Sequence, residues 1–313
     1  MLAVVQQTLG ITAPVFSMLF VGVALKRLGW IDTAFINTAS ELVFKGTMPT
    51  LLFLGIVQAD LRTALQPGLI GYFLAATVVC FLVGWGWAIL RCPVTDRGIY
   101  TQGAFRGNNG IIGLALATSM YGAYGLSVGG ILGGVVILSY NTLSAIVLAI
   151  YSPNAKTDPW SIAKSIITNP LIIGVLAAIP VAYFQLQLPA WLITSGEYFA
   201  QMTLPLALIC IGGTLSLTSL RESSRMAISA SLMKVFWLPL LATFGAWLCG
   251  FRNAELAILF LYFASPTAAA SFVMARAVNG NHELAAAIIV ITTLAAVVTT
   301  NLGLFVLQWA GWI

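Results

Sequence analysis

The chain has 313 residues, 60% of them apolar and only 7% charged, with a formal net charge of +5. So few charges over this length exclude a soluble globular domain and place the chain in a bilayer. The basic residues are scattered and form no stripe, which excludes a nucleic-acid footprint.

Ten stretches are long enough to span a bilayer, each near the ~20 apolar residues required. Span 1 covers 4–25. It lacks a basic leader and an obvious small-residue cleavage site, so it is expected to be retained. Span 2 covers 36–58 and carries Glu41, Lys45 and Pro49. Glu41 precedes Lys45 by one helical turn, the favourable order for a pair on one face. Lys45 lies ~15 Å into the span, where a charge must be paired or face a cavity. Two uses fit: a buried ion pair that locks helices, or a proton-responsive pair beside a substrate path. Span 3 covers 68–90.

Span 4, 98–120, is interrupted by Arg106-Gly107-Asn108-Asn109-Gly110. Gly favours non-helical backbone, and Asn side chains compete for backbone hydrogen bonds. Arg106 has two uses, a positive charge in the site or a helix-end cation reaching for water. Span 5, 125–151, carries two overlapping GxxxG patterns from Gly129 to Gly134, suited to close helix packing, and the polar Asn141. A cytoplasmic linker is expected over 152–163.

Span 6, 165–187, opens on Ile167-Thr168-Asn169-Pro170, an echo of Ile11-Thr12-Ala13-Pro14 at a spacing of 156. Span 7, 190–217, continues the echo: Glu197, Thr203 and Pro205 repeat Glu41, Thr47 and Pro49. Pro49 and Pro205 are expected to kink spans 2 and 7. Span 8, 228–250, carries Lys234, with the same two uses as Lys45. Span 9, 254–275, is broken at Ala264-Ser265-Pro266-Thr267, where Pro266 removes an amide donor. Span 10 covers 285–311.

The echo divides the chain into repeat 1, 1–151, and repeat 2, 164–313. Five spans in each half invert one repeat relative to the other. Asn109 shifted by 156 is 265, so the breaks in spans 4 and 9 are expected to be equivalent. Broken backbone at membrane depth survives only where protein or a water-filled cavity satisfies it. Equivalent breaks in inverted halves point to a substrate site. New helices starting near Ile111 and Thr267 would aim unpaired amides and partial positive charge at one point, suited to a carboxylate. The expected substrate-binding set is Asn108, Asn109, Gly110, Ser265, Pro266, Thr267, Arg106 and Asn141. The expected gating or proton-responsive set is Glu41, Lys45, Glu197 and Lys234. No carboxylate lies near the middle of spans 3–5 or 8–10, which argues against cation/proton exchange. His282 is the only histidine, and the four cysteines are dispersed, so no metal, cofactor or hydrolytic chemistry is expected.

This layout resembles the auxin efflux carrier family, which includes bacterial malonate and malate permeases and the plant PIN-FORMED carriers. The resemblance covers the whole chain. It rests on Thr47-Met48-Pro49, Gly107 to Gly113, Asn169-Pro170, Leu204-Pro205-Leu206-Ala207, Lys234 with Leu238-Pro239-Leu240, and Ser265-Pro266-Thr267. It implies the fold of the sodium/proton antiporters and bile-acid symporters. Spans 1, 2, 6 and 7 would form a scaffold; spans 3–5 and 8–10 would form a transport domain. The crossing of spans 4 and 9 would bind substrate, with Asn108 or Asn109 contacting its carboxylate. Plant members have proline in both breaks, whereas Gly110 stands in the first here.

The expected function is secondary transport of small mono- or dicarboxylates by elevator-type alternating access. The alternatives are a sodium-coupled organic-anion symporter and, more remotely, a membrane-embedded sensor or enzyme. The expected partners are the bilayer, an organic anion and a second copy joined through the scaffold, with no nucleic acid. The expected location is the inner cell membrane. Nine basic residues fall in one set of loops (Lys26, Arg27, Arg91, Arg97, Lys156, Lys164, Arg221, Arg225, Arg276) and only Arg62 and Arg252 in the other. This asymmetry puts both termini on the outer side. Single cysteines at Ser152 and Gly311, in a cysteine-free background, should therefore be labelled from opposite sides of the membrane. Labelling from one side removes the ten-span, inverted arrangement.

Overall fold

The structure is a computed structural model that describes residues 2–58, 66–151, 168, 170–214 and 225–313. The expected linker 152–163 lies outside the described residues, as do Asn169, Arg62, Lys156, Lys164 and Arg221. In chain order the helices are α1 (Leu2–Arg27), α2 (Thr33–Val57), α3 (Pro67–Arg91), α4 (Arg97–Phe105), α5 (Asn109–Tyr151) and α6 (Pro170–Tyr183). They continue as α7 (Ala190–Gln201), α8 (Thr203–Thr214), α9 (Arg225–Leu248), α10 (Asn253–Ala264), α11 (Ala270–Ala277) and α12 (His282–Trp309). Five of them (α2, α3, α5, α9 and α12) are long and apolar enough to cross a membrane. The protein is an all-α polytopic membrane protein.

The irregularities in these helices have local causes. In α2 a π turn, Val43–Thr47, precedes Pro49; in α9 a π turn, Met233–Trp237, precedes Pro239. A proline ring clashes with the carbonyl four residues back, here Lys45 and Val235, both inside the π turns. The wider turn absorbs the displaced carbonyl and lets the helix continue. The chain breaks at Met202, between α7 and α8, three residues before Pro205. In α5 the backbone reverses at Gly122, which has φ +56° and ψ −132°. A Cβ placed on Gly125 would lie 2.0 Å from the Ala117 carbonyl oxygen, so the segments on either side of Gly122 fold back on one another. A side chain at either glycine would open that turn.

Packing relies on small residues, because lipid offers apolar side chains no incentive to leave it. The α1 backbone meets α8 directly. A Cβ on Gly22 would stand 2.1 Å from the Ile209 carbonyl oxygen, and one on Gly212 would stand 2.0 Å from that of Leu19. The second half of α2 packs on α6 and α7, with Gly174 against Pro49. Elsewhere α3 packs on α4, α9 on α12, and α10 on α5. Gly129, from the GxxxG run, receives Tyr262 of α10, whose hydroxyl donates to the Gly129 carbonyl at 2.5 Å. Gly130 faces Leu52 of α2, so one glycine face of α5 accepts two neighbours.

Candidate functional site

The two helices that lead into the breaks run through protein, not lipid. Every residue from Gly98 to Phe105 in α4 is buried, as is every residue from Leu256 to Ala264 in α10. Their apolar composition therefore reflects a core environment. Both end inside the protein, where backbone groups left unpaired would be costly.

The breaks satisfy each other. Gly107 and Thr267 form an antiparallel β-bridge, the one such bridge among the described residues. The Asn108 amide donates to the Pro266 carbonyl at 2.7 Å, and the Ala268 amide donates to the Arg106 carbonyl at 3.1 Å. The paired residues are 160 apart, four more than the spacing that relates Thr47 to Thr203. The α10 helix has 12 residues against 9 in α4. In this antiparallel register, two residues on from Gly107 and two back from Thr267 are Asn109 and Ser265, the positions related by the 156 spacing. The new helices start at Asn109 and Ala270, two residues earlier and three later than expected.

Asn108 and Asn109 face different surroundings. Asn109 is fully buried, and its Nδ2 donates to the Tyr140 hydroxyl at 3.2 Å. Its Oδ1 is buried with no hydrogen-bond partner among the described residues. Asn108 is only half-buried, and so is Gly110. A Cβ on Gly110 would lie 3.5 Å from the Met48 Cε on α2, so this open side of the crossing faces the π turn of α2. Thr47 in that turn and Thr203 at the start of α8 are both fully buried, with hydroxyls lacking a partner among the described residues.

Ser265 and Thr267 are occupied internally. The Ser265 hydroxyl donates to the Leu261 carbonyl at 2.8 Å, and the Thr267 hydroxyl donates to the Gly103 carbonyl at 2.7 Å. The Thr267 amide donates to the Thr292 hydroxyl at 3.0 Å, which ties the second break to α12. Pro266 contributes its carbonyl to the bridge. These three residues build the crossing and hold its shape.

Two cations flank it. Arg106 is buried and does not reach for water. Its guanidinium donates to the Tyr140 carbonyl and Ser144 hydroxyl, each at 3.2 Å, and to Asn141 Oδ1 at 2.7 Å. Asn141 is thereby a partner of Arg106. Lys234, placed by the π turn of α9, is 2% exposed and donates to the Phe263 carbonyl at 2.7 Å. Lys234 therefore belongs with the crossing and not with Glu41, Lys45 and Glu197. Lys45 donates to Glu41, but the two side chains are 64% and 61% exposed, so the pair is not a buried lock between helices. No described helix covers that face of α2. Glu197 accepts from Gln58 Nε2 at 2.8 Å, joining α7 to the end of α2. Among the described residues no group of His, Cys, Asp or Glu could hold a metal ion. The contributions of Tyr140 and Ser144 escaped the sequence analysis. A tyrosine inside an apolar span signals a buried hydroxyl needing a partner, and Tyr140 adjoins Asn141.

A family model for membrane transport proteins matches residues 9–303, which takes in both breaks, Lys234 and both kinked helices. The chain belongs to the membrane transport protein family. It is also 25% identical over 317 residues to an uncharacterized transporter of Methanocaldococcus jannaschii, with 96% of each chain covered. As a membrane transport protein it has a crossing whose tightest point is Gly107. A methyl there would lie 2.0 Å from Asn109 Oδ1 and 3.1 Å from Lys234 Nζ. Gly107→Ala should overpack this point, costing about 1–3 kcal/mol, and should lower the thermal unfolding temperature. Gly71→Ala, with nothing within 4 Å, should not. Equal unfolding temperatures for the two variants would contradict the tight crossing.

Proposed function

We propose that this membrane transport protein is a secondary carrier of small organic anions, mono- or dicarboxylates, that works by elevator-type alternating access. The observation that carries the proposal is the charge of the crossing. Lys234 and Arg106 are buried beside the two breaks, and no carboxylate among the described residues pairs with either. Asp32 and Asp96 lie at helix ends, Glu41 pairs with Lys45, Glu197 meets Gln58, and Glu255 and Glu283 occupy first turns. Buried charge without a counter-charge is unfavourable, so the crossing is receptive to an anion. The start of the second half-helix, at Asn109 and Gly110, adds unpaired amides and a partial positive charge.

Within this proposal Asn108 contacts the substrate carboxylate, and Asn109 holds the crossing together through Tyr140. The substrate enters on the open side, between Asn108, Gly110 and the α2 turn. The proposal extends to ten spans in two inverted five-span repeats, 1–151 and 164–313, with both termini outside. Spans 1, 2, 6 and 7 serve as scaffold, and spans 3–5 and 8–10 move. The heavy packing of α1 on α8 and of α2 on α6 and α7 supports that division, as does the burial of α4 and α10 among α3, α5, α9 and α12. The exposed Glu41–Lys45 pair and the apolar face around it are where a second copy would join the scaffold. The resemblance to auxin efflux carriers, malonate and malate permeases included, supports the substrate class.

Thermal-shift screening of the purified protein against acetate, propionate, malonate, succinate and malate tests the substrate class, since a true ligand raises apparent stability by mass action. Asn108→Ala should weaken the best of these by ~1.5–3 kcal/mol, roughly 10- to 150-fold in Kd, while leaving the unliganded unfolding temperature near that of the parent. No shift with any carboxylate would remove the anion assignment. Unchanged affinity in Asn108→Ala would remove that residue from the site.

A further inference from the structure

Lys234 occupies a position whose surroundings are those of a small monovalent cation. It lies at the C-terminal end of α10, where the last carbonyls of a helix have no intrahelical partners and carry partial negative charge. One of these, Phe263, receives its ammonium at 2.7 Å. The second oxygen nearby is Asn109 Oδ1, buried and without a hydrogen-bond partner among the described residues. The ammonium and this oxygen both approach Gly107, where a methyl would be 3.1 Å from Nζ and 2.0 Å from Oδ1. Backbone carbonyl and side-chain amide oxygens at the broken end of a helix are the ligands that unwound transporter helices present to a sodium ion or proton. Here a tethered ammonium stands among them.

The tether has a structural origin. The π turn Met233–Trp237, forced by Pro239, sets Lys234 on the buried face of α9, and that segment packs on α4, α10 and α12. The charged or titratable groups on the same elements are Arg97 and Tyr100 of α4, with Arg106 just beyond its end, Glu255 and Tyr262 of α10, and His282 and Glu283 of α12, with Cys80 of α3 nearby. The two carboxylates sit in the first turns of their helices, Glu255 ~12 Å along α10 from Phe263, so among the described residues the ammonium is not half of an ion pair.

We propose that the Lys234 ammonium takes the place of a coupling cation at the crossing, so that the carrier binds its anion without sodium. Lys234 is then a positioning residue. It holds the end of α10 in place through the Phe263 carbonyl and contributes positive potential to the anion site from behind the Gly107–Thr267 bridge. It does not touch the substrate. The inference rests on the organic-anion reading of the same crossing. It accounts for an anion site that has no carboxylate beside it among the described residues.

The experiment is malonate binding, measured by thermal shift and isothermal calorimetry, on the full-length purified protein. Sodium chloride is compared with choline chloride at equal ionic strength. The parent protein should bind malonate equally well, within about twofold, in both salts. Lys234→Ala, which leaves the oxygens and empties a cation-sized space, should bind at least tenfold more weakly in choline. It should recover much of that loss on addition of sodium or methylammonium, which could refill the space. A purely structural role for Lys234 would not produce rescue by a small cation. Sodium dependence in the parent protein would overturn the inference while leaving the anion assignment intact, and parent-like binding by Lys234→Ala in choline would overturn it too. So would a loss that neither cation restores. If Lys234→Ala does not survive purification, Lys234→Gln is measured in its place and the sodium arm on the parent still decides. Absence of binding by malonate and every other carboxylate in the screen, in both salts, would instead remove the anion assignment on which the inference stands.

Discussion

Two backbone hydrogen bonds, between Asn108 and Pro266 and between Ala268 and Arg106, hold the centre of this molecule. Inside a bilayer, a helix that stops must place its free amides and carbonyls on something other than lipid. Here each broken helix is the partner of the other. That arrangement requires several other features. Gly107 suits glycine, because a methyl would displace the ends of the Asn109 and Lys234 side chains. The α4 and α10 helices must be wrapped on all sides, and they are. The second break must be anchored to α12, which Thr292 does through the Thr267 amide. A site formed this way is stiff, because moving either break disrupts both.

Charge then gives the crossing its chemical character. A buried ammonium and a buried guanidinium lie there, each donating to neutral oxygens, and Arg106 Nε has no acceptor among the described residues. Carbonyls and amides can orient around a cation, but they do not cancel its field as a carboxylate would. In the proposed function, the remaining field draws the substrate anion to the open side, at Asn108 and Gly110. Arg106 and Lys234 differ in how they are fixed. The planar guanidinium spans three acceptors on α5, as its fork geometry suits. The lysine is positioned by the register of a π turn.

Much of the fold was legible in the sequence, because the bilayer allows few solutions. Expected spans 2, 3, 8 and 10 coincide within three residues with α2, α3, α9 and α12, four of the five helices long and apolar enough to cross a membrane. The breaks were legible as well, since Gly-Asn-Asn-Gly and Ser-Pro-Thr are poor fits to a lipid-facing helix. Three things were not. The greater length of α10 than of α4, 12 residues against 9, is not revealed by hydropathy. Asn108 and Asn109 are adjacent and identical in type, so only the backbone turn between them decides which faces inward. The environments of Lys45 and Lys234 look alike along the chain, each a lysine ahead of a proline-kinked turn. One is exposed and paired with Glu41; the other is buried without an acid, because different faces of α2 and α9 meet neighbours.

The account stands or falls on whether a carboxylate binds at the open side of the crossing. Solid-state NMR on the protein in lipid, with 13C-carboxylate malonate and 15N-labelled asparagine side chains, measures this directly. The account predicts dipolar dephasing of the malonate carboxylate by an asparagine amide that disappears in Asn108→Asp, which removes that nitrogen. Bound malonate with no asparagine contact, or with a contact that persists in Asn108→Asp, would contradict it.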